Sequence, residues 1–280
     1  MGAGHGWAGV AEGAMPLTLI PISHGTLCHG SRWTVADEAD LAGKVARVAL
    51  GQARHVAAIL TGIDKRPPDT RADTAAGAIR LLTVPKDKPP YHRDGWVFQA
   101  ISWIAAHRVE AGAVIRAPHM IHAHKGFDGF QLKLDESGQT VTAVMIFEDK
   151  ATENPRSTIA GDVWKGIRDL EGGLRMNELI PEAGGLLEAH QQRFPELDID
   201  GAVERIAWDE ARHFRVAVTA DTAHDNDDAR AALFKGFDEV APGLAVRRQA
   251  ETIAIPKLRD WMKAFSAKAI KQIEAWRDDV

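Results

Sequence analysis

The stretch 127–151, FDGFQLKLDESGQTVTAVMIFEDKA, constrains the fold more than any other part of the chain. Two runs of strand character flank DESGQ, a polar, glycine-containing turn of the kind that joins antiparallel strands. In the first run Phe130, Leu132 and Leu134 alternate and share one face. The second holds an unbroken apolar run from Ala143 to Phe147, the pattern of a central strand buried on both faces. The expectation is a hairpin pairing 128–134 with 140–148.

Three charges stand at the open end of this hairpin. Strand side chains alternate, so Glu148 and Lys150 share a face and Asp149 points the other way. If Asp128 begins one strand where Glu148 ends the next, their functional atoms and that of Lys150 fall within roughly 3–6 Å, close enough to share one hydrated cation. Mg²⁺, or Mn²⁺ in its place, suits two carboxylates with water completing the shell. Such an ion lowers the pKa of a bound water and offsets charge on a phosphoryl oxygen, while a lysine orients that water or the phosphate. The competing reading is a cross-strand ion pair with no catalytic role. Two features favour a site: Gly126 and Gly129 flank Asp128, and Glu148 directly follows five apolar residues, where an unpaired acid is costly.

The rest of the chain reads as alternating helix and strand. PLTLIPI after Met15 is a strand, 37–60 a long amphipathic helix, and ADTAAGAIRLLTV a shorter one. After the proline-rich KDKPPYHRD come a helix at about 95–109, a short strand in AVIRAPHMI, the hairpin, a helix after Pro155 and further helix at about 175–195. HFRVAVTAD and LAVRRQAETIAI read as strands around the helix DDARAALFKGFDEVA, and a helix beginning near Pro256 closes the chain. The predicted class is α/β, a mixed sheet with helices on both sides. Residues 1–90 form an N-terminal extension with a helical addition, and 91–280 form the core.

A D-G step at one strand's start, an apolar strand ending in E-x-K and a following helix resemble the PD-(D/E)xK nuclease superfamily, the restriction-endonuclease-like fold. The match spans about 95–170. The resemblance implies a metal-dependent phosphodiester hydrolase, with Asp128 and Glu148 as metal ligands and Lys150 as the catalytic lysine. Many members carry a further Glu on the preceding helix; here Gln99 occupies that place and is the accessory candidate. Lys125, His124 and Arg156 flank the motif as candidate phosphate contacts. His119, His122 and His124 also invite a zinc reading, although their spacing does not match a helical metal motif.

Bulk properties narrow the function further. A net charge of −5 argues against a stand-alone, high-affinity nucleic-acid binder. No helix-turn-helix or zinc finger is legible, so a nuclease of this kind needs a partner for targeting. A small nuclease governed by a helicase or ATPase resembles the effector of a Hachiman-type anti-phage system. The substrate expected is nucleic acid, DNA before RNA. The alternative is a non-catalytic nucleic-acid-binding or assembly subunit, which Gln99 in place of Glu favours. The single cysteine, Cys28, and the lack of a secretory pattern in the first twenty residues predict a cytoplasmic protein without membrane contact.

Overall fold

The computed structural model describes residues 15–110, 113–122, 126–191 and 195–278. In chain order the elements are β1 (Leu17–Ser23), β2 (His29–Val35), α1 (Glu38–Ala49), α2 (Ala53–Leu60), α3 (Ala72–Leu82), α4 (Tyr91–Val109), β3 (Val114–Ile115), β4 (Gly129–Leu134) and β5 (Val141–Lys150). There follow α5 (Pro155–Thr158), a π-helical turn (Ile159–Val163), α6 (Trp164–Glu171), α7 (Met176–His190), α8 (Ile199–Ile206), β6 (Arg212–Ala220), α9 (Asp227–Leu233), α10 (Phe237–Val240), β7 (Arg248–Ala254) and α11 (Leu258–Asp278).

Among the described residues the strands form one seven-stranded mixed sheet in the order β1-β2-β7-β6-β5-β4-β3. The central strands β2, β7, β6 and β5 run parallel, and β1, β4 and β3 are antiparallel to their neighbours. The expected hairpin is present, with Gly129 opposite Phe147, and it lies against β6. Gly129 is dictated by that pairing. A Cβ there would stand 2.4 Å from Phe147 Cδ2, so any larger residue would displace the ring.

Alternation along β5 divides the core. Met145 and Phe147 join a cluster with residues of α1, α3, α4 and α11, whereas Val144 and Ile146 join one with residues of α6, α7 and α10. Helices therefore cover both faces, as the apolar run of β5 requires. Trp96, Trp103 and Trp164 are core residues, each no more than 4% exposed. Among the described residues no helix is long and apolar enough to cross a membrane.

Several element boundaries differ from the reading by periodicity. The helix expected over 37–60 is two helices, α1 and α2, and DDARAALFKGFDEVA is likewise divided into α9 and α10. The breaks fall at Gly51 (φ +76) and Gly236 (φ +88), left-handed backbone that ends an α-helix at little steric cost. α4 begins at Tyr91, directly after Pro90, rather than at 95. Neither β2 nor α8 was anticipated.

Candidate active site

Asp128 immediately precedes β4, and Glu148 and Lys150 end β5, so all three meet at the carboxyl end of a parallel strand, the usual location for ligand crevices in such sheets. Lys150 Nζ lies 2.8 Å from Asp128 Oδ2 and 2.8 Å from Glu148 Oε2. The three side chains are 17%, 13% and 27% exposed for Asp128, Glu148 and Lys150 respectively, partly shielded but reachable. Burial works against the Lys150 ammonium, yet Glu148 and Asp128 outweigh it and hold its pKa above the ordinary value. Burial raises the Glu148 carboxyl, with Lys150 opposing and Asp128 reinforcing that shift.

Asp128 is gripped from three directions. Gln99 Nε2 on α4 donates to Oδ1 at 2.6 Å, while the Asp149 backbone N–H donates to Oδ2 at 2.9 Å beside Lys150. Gln99 thus belongs to the cluster, and its amide orients the carboxylate. Glu148 lies under α6, where a Cβ on Gly166 would be 3.5 Å from Oε1. Lys150, Asp128 and Gln99 line a cleft of about 450 Å³ with Tyr91, Gly95 and Arg259.

The remaining candidates lie elsewhere. Arg156 donates 2.9 Å hydrogen bonds to the carbonyls of Leu233 and Lys235, where it caps the end of α9 and does not line the cleft. His124 and Lys125 lie outside the described residues. His122 Nε2 is 2.7 Å from the Leu81 carbonyl at the end of α3, and the His119 carbonyl accepts from the Trp96 indole. Among the described residues, which do not include His124, no group of three or more His, Cys, Asp or Glu side chains is arranged to hold a metal.

A second polar network sits behind the first, and reading by motif did not find it. Asp149 faces α4, where its Oδ1 accepts from Ser102 Oγ at 2.6 Å. Arg215 of β6 donates to the same hydroxyl at 2.8 Å and lies 3.9 Å from both Asp149 Oδ1 and Glu251 Oε1. Glu251 of β7 also accepts from Ser31, Gln249 and the Trp33 indole. The guanidinium stacks over Phe147 at 4.5 Å and Trp33 at 5.2 Å. The available signal was Arg215 and Glu251 at interior positions of two strands, HFRVAVTA and RQAETIA, where unpaired charge is costly.

This network carries a pH dependence. Burial pushes the Asp149 carboxyl up to about 7, with Arg215 opposing. Between roughly pH 4 and that value the folded state keeps a proton that the unfolded state has lost, so this group's contribution to stability falls as pH rises. Burial pushes His213 down to about 4, which acts in the opposite sense over roughly pH 4–6.5 and masks the effect in the wild type alone. The comparison with Asp149→Asn isolates it. The variant's stability relative to wild type, from urea unfolding, should improve by on the order of 3–4 kcal/mol between pH 4 and pH 8. A difference that stays constant over that range would show Asp149 to be ionised throughout.

No family model, curated protein or solved structure matches the chain. The functional reading therefore rests on the geometry of these residues.

Proposed function

We propose that the protein is a metal-dependent nuclease that hydrolyses phosphodiester bonds, with DNA as the first substrate to test. The observation that carries this reading is the convergence of Asp128, Glu148 and Lys150, in which one ammonium reaches both carboxylates at 2.8 Å. A point reached by one cation from both carboxylates can be reached by another, and hard oxygen donors suit Mg²⁺ or Mn²⁺. Asp128 and Glu148 would hold the ion, with water completing the shell. The chemistry it would supply is a water of lowered pKa and compensation of charge on the phosphoryl oxygens. Gln99 fixes the rotamer of Asp128 through its 2.6 Å bond. Lys150, displaced from the carboxylates, is the group left to orient the water or the scissile phosphate.

The helix–strand–hairpin–helix–strand order from α4 to β6, with β5 antiparallel to β4 and parallel to β6, is compatible with the restriction-endonuclease-like core that the D-G…E-x-K pattern suggests. A helicase or ATPase partner, as in a Hachiman-type anti-phage complex, follows from that resemblance and from the lack of a legible targeting module. The direct test is incubation with single- and double-stranded DNA and RNA in Mg²⁺ or Mn²⁺, alone and with any helicase encoded alongside. Metal-dependent cleavage supports the reading. No cleavage under any of these conditions favours the second reading, a non-catalytic nucleic-acid-binding or assembly subunit. The observation on its side is Gln99, which donates to Asp128 and adds no negative charge.

Gln99→Glu separates the two readings further. A carboxylate there stands against Asp128 and adds a charged ligand, so divalent-ion binding measured by calorimetry should tighten by about tenfold or more, roughly 1.4 kcal/mol. Unchanged affinity would place Gln99 outside the metal's reach.

A further inference from the structure

We propose that the cleft beside the carboxylate–lysine cluster takes a single strand of nucleic acid, with Tyr91 as the platform on which one of its bases stacks. This rests on the nuclease reading above. Tyr91, Gly95 and Gln99 stand at i, i+4 and i+8 on α4, so they lie along one face of the helix, and all three line the cleft with Asp128 and Lys150. At ~1.5 Å per residue Tyr91 is roughly 12 Å along the helix from Gln99, a span that an extended single strand covers in about two nucleotides. The turn between them is bare: a Cβ on Gly95 would meet nothing within 4 Å.

Tyr91 is the chain's only tyrosine, and 62% of its surface is exposed. It is nevertheless held in place, because the Arg259 guanidinium carbon lies 4.9 Å from the ring centroid. Arg259 is itself anchored by Asp94, which is fully buried, at 2.6 Å and by Glu153 at 3.4 Å. An aromatic ring backed by a fixed guanidinium, with most of its surface open to a cleft, is pre-organised for a π-faced ligand.

Size and charge choose the ligand. A cleft of about 450 Å³ has room for a nucleotide or two rather than for a whole duplex. Among the described residues its lysine and arginine are already engaged, Lys150 by Asp128 and Glu148, and Arg259 by Asp94 and Glu153. Coulombic attraction to phosphate is correspondingly weak, so stacking has to supply the affinity.

The experiment is fluorescence anisotropy with a labelled twelve-nucleotide oligothymidylate and a hairpin duplex, in EDTA, across a salt series. The expected results are preference for the single strand, a shallow salt slope corresponding to about two phosphate contacts or fewer, and a loss of roughly 5- to 100-fold in affinity for Tyr91→Ala. Tyr91→Trp should restore binding. Thermal melting of both variants should match wild type, because the side chain is exposed. Tyr91→Ala binding as tightly as wild type, failure of Trp to restore, or equal affinity for the duplex would overturn the proposal. If wild type cleaves nucleic acid while Tyr91→Ala binds and cleaves unchanged, this assignment falls and the nuclease reading stands. If no oligonucleotide is bound or cleaved in Mg²⁺ or Mn²⁺ with any partner, both fall.

Discussion

Lys150→Ala and Glu148→Ala are each expected to reduce cleavage by 10²–10³-fold or more, and to do so for different reasons that metal binding and melting can separate. Glu148→Ala removes one of two charged ligands and should weaken Mg²⁺ binding. It should not lower the melting temperature without metal, because burial raises this carboxyl and the ionised form is held at a cost. Lys150→Ala removes the ammonium that lies 2.8 Å from both carboxylates. Mg²⁺ then meets no internal competitor, so its affinity should be kept or improved. The same variant leaves two partly shielded carboxylates facing each other, and its melting temperature should drop without metal and recover when Mg²⁺ is added. Loss of melting temperature in both variants, no recovery with metal and no activity with any partner would identify the trio as a structural ion cluster.

Arg215→Met is expected to be the most destabilising single substitution in the protein, at about 3–5 kcal/mol. Arg215, 1% exposed, is the cation shared by Asp149, also 1% exposed, and Glu251, which is fully buried. Methionine keeps most of the volume between Phe147 and Trp33 but leaves both acids without their counter-ion. Burial already holds Asp149 near 7, so protonation offers that acid a partial escape at low pH, and the loss should be larger at pH 8 than at pH 5. Urea unfolding at both pH values measures it. A loss below about 1 kcal/mol would mean that the acids are carried neutral and the arginine contributes mainly packing. The triple variant Arg215→Met, Asp149→Asn, Glu251→Gln should recover much of the stability, because removing every charge of a buried network costs far less than removing one.

The two networks are joined through the backbone of β5. Glu148 and Lys150 meet at 2.8 Å, with Lys150 lining the cleft, while the Asp149 side chain, between them, reaches Ser102 of α4 and Arg215. The same Asp149 contributes its N–H to Asp128 at 2.9 Å. A disturbance of the buried network therefore reaches the candidate site over a single residue, and part of any activity lost in Arg215→Met would arise from displacement of the strand end.

Much of the cluster was legible in the chain because it rests on local rules. Period-two alternation placed Glu148 with Lys150 and against Asp149. The DESGQ turn announced the hairpin, and the run from Ala143 to Phe147 announced a strand covered on both faces, but the register that sets Gly129 opposite Phe147 also depends on a bulge between Lys133 and Leu134, which the turn does not reveal. These signals act over a few residues, where backbone geometry alone determines which way a side chain points. Helix ends were less legible, since periodicity continues across a left-handed glycine such as Gly51.

The rest depended on distant partners. β2 is a strand because Trp33 and Ser31 meet Glu251 some 220 residues away, and its own sequence, with Arg32 and His29, gives little local strand signal. Gln99 could be placed at the site only through the resemblance, Arg215 could be seen as anomalous but not assigned its two acids, and Arg259 could be placed on the closing helix but not set against Tyr91. Sequence by itself determined which residues share a face and where the hairpin turns, because those are properties of neighbouring residues in one chain segment. Only the tertiary structure decided which faces meet, because the parallel insertion of β6 and β7 between β5 and β2 is selected by burial and charge pairing summed over the whole sheet, which no single segment contains.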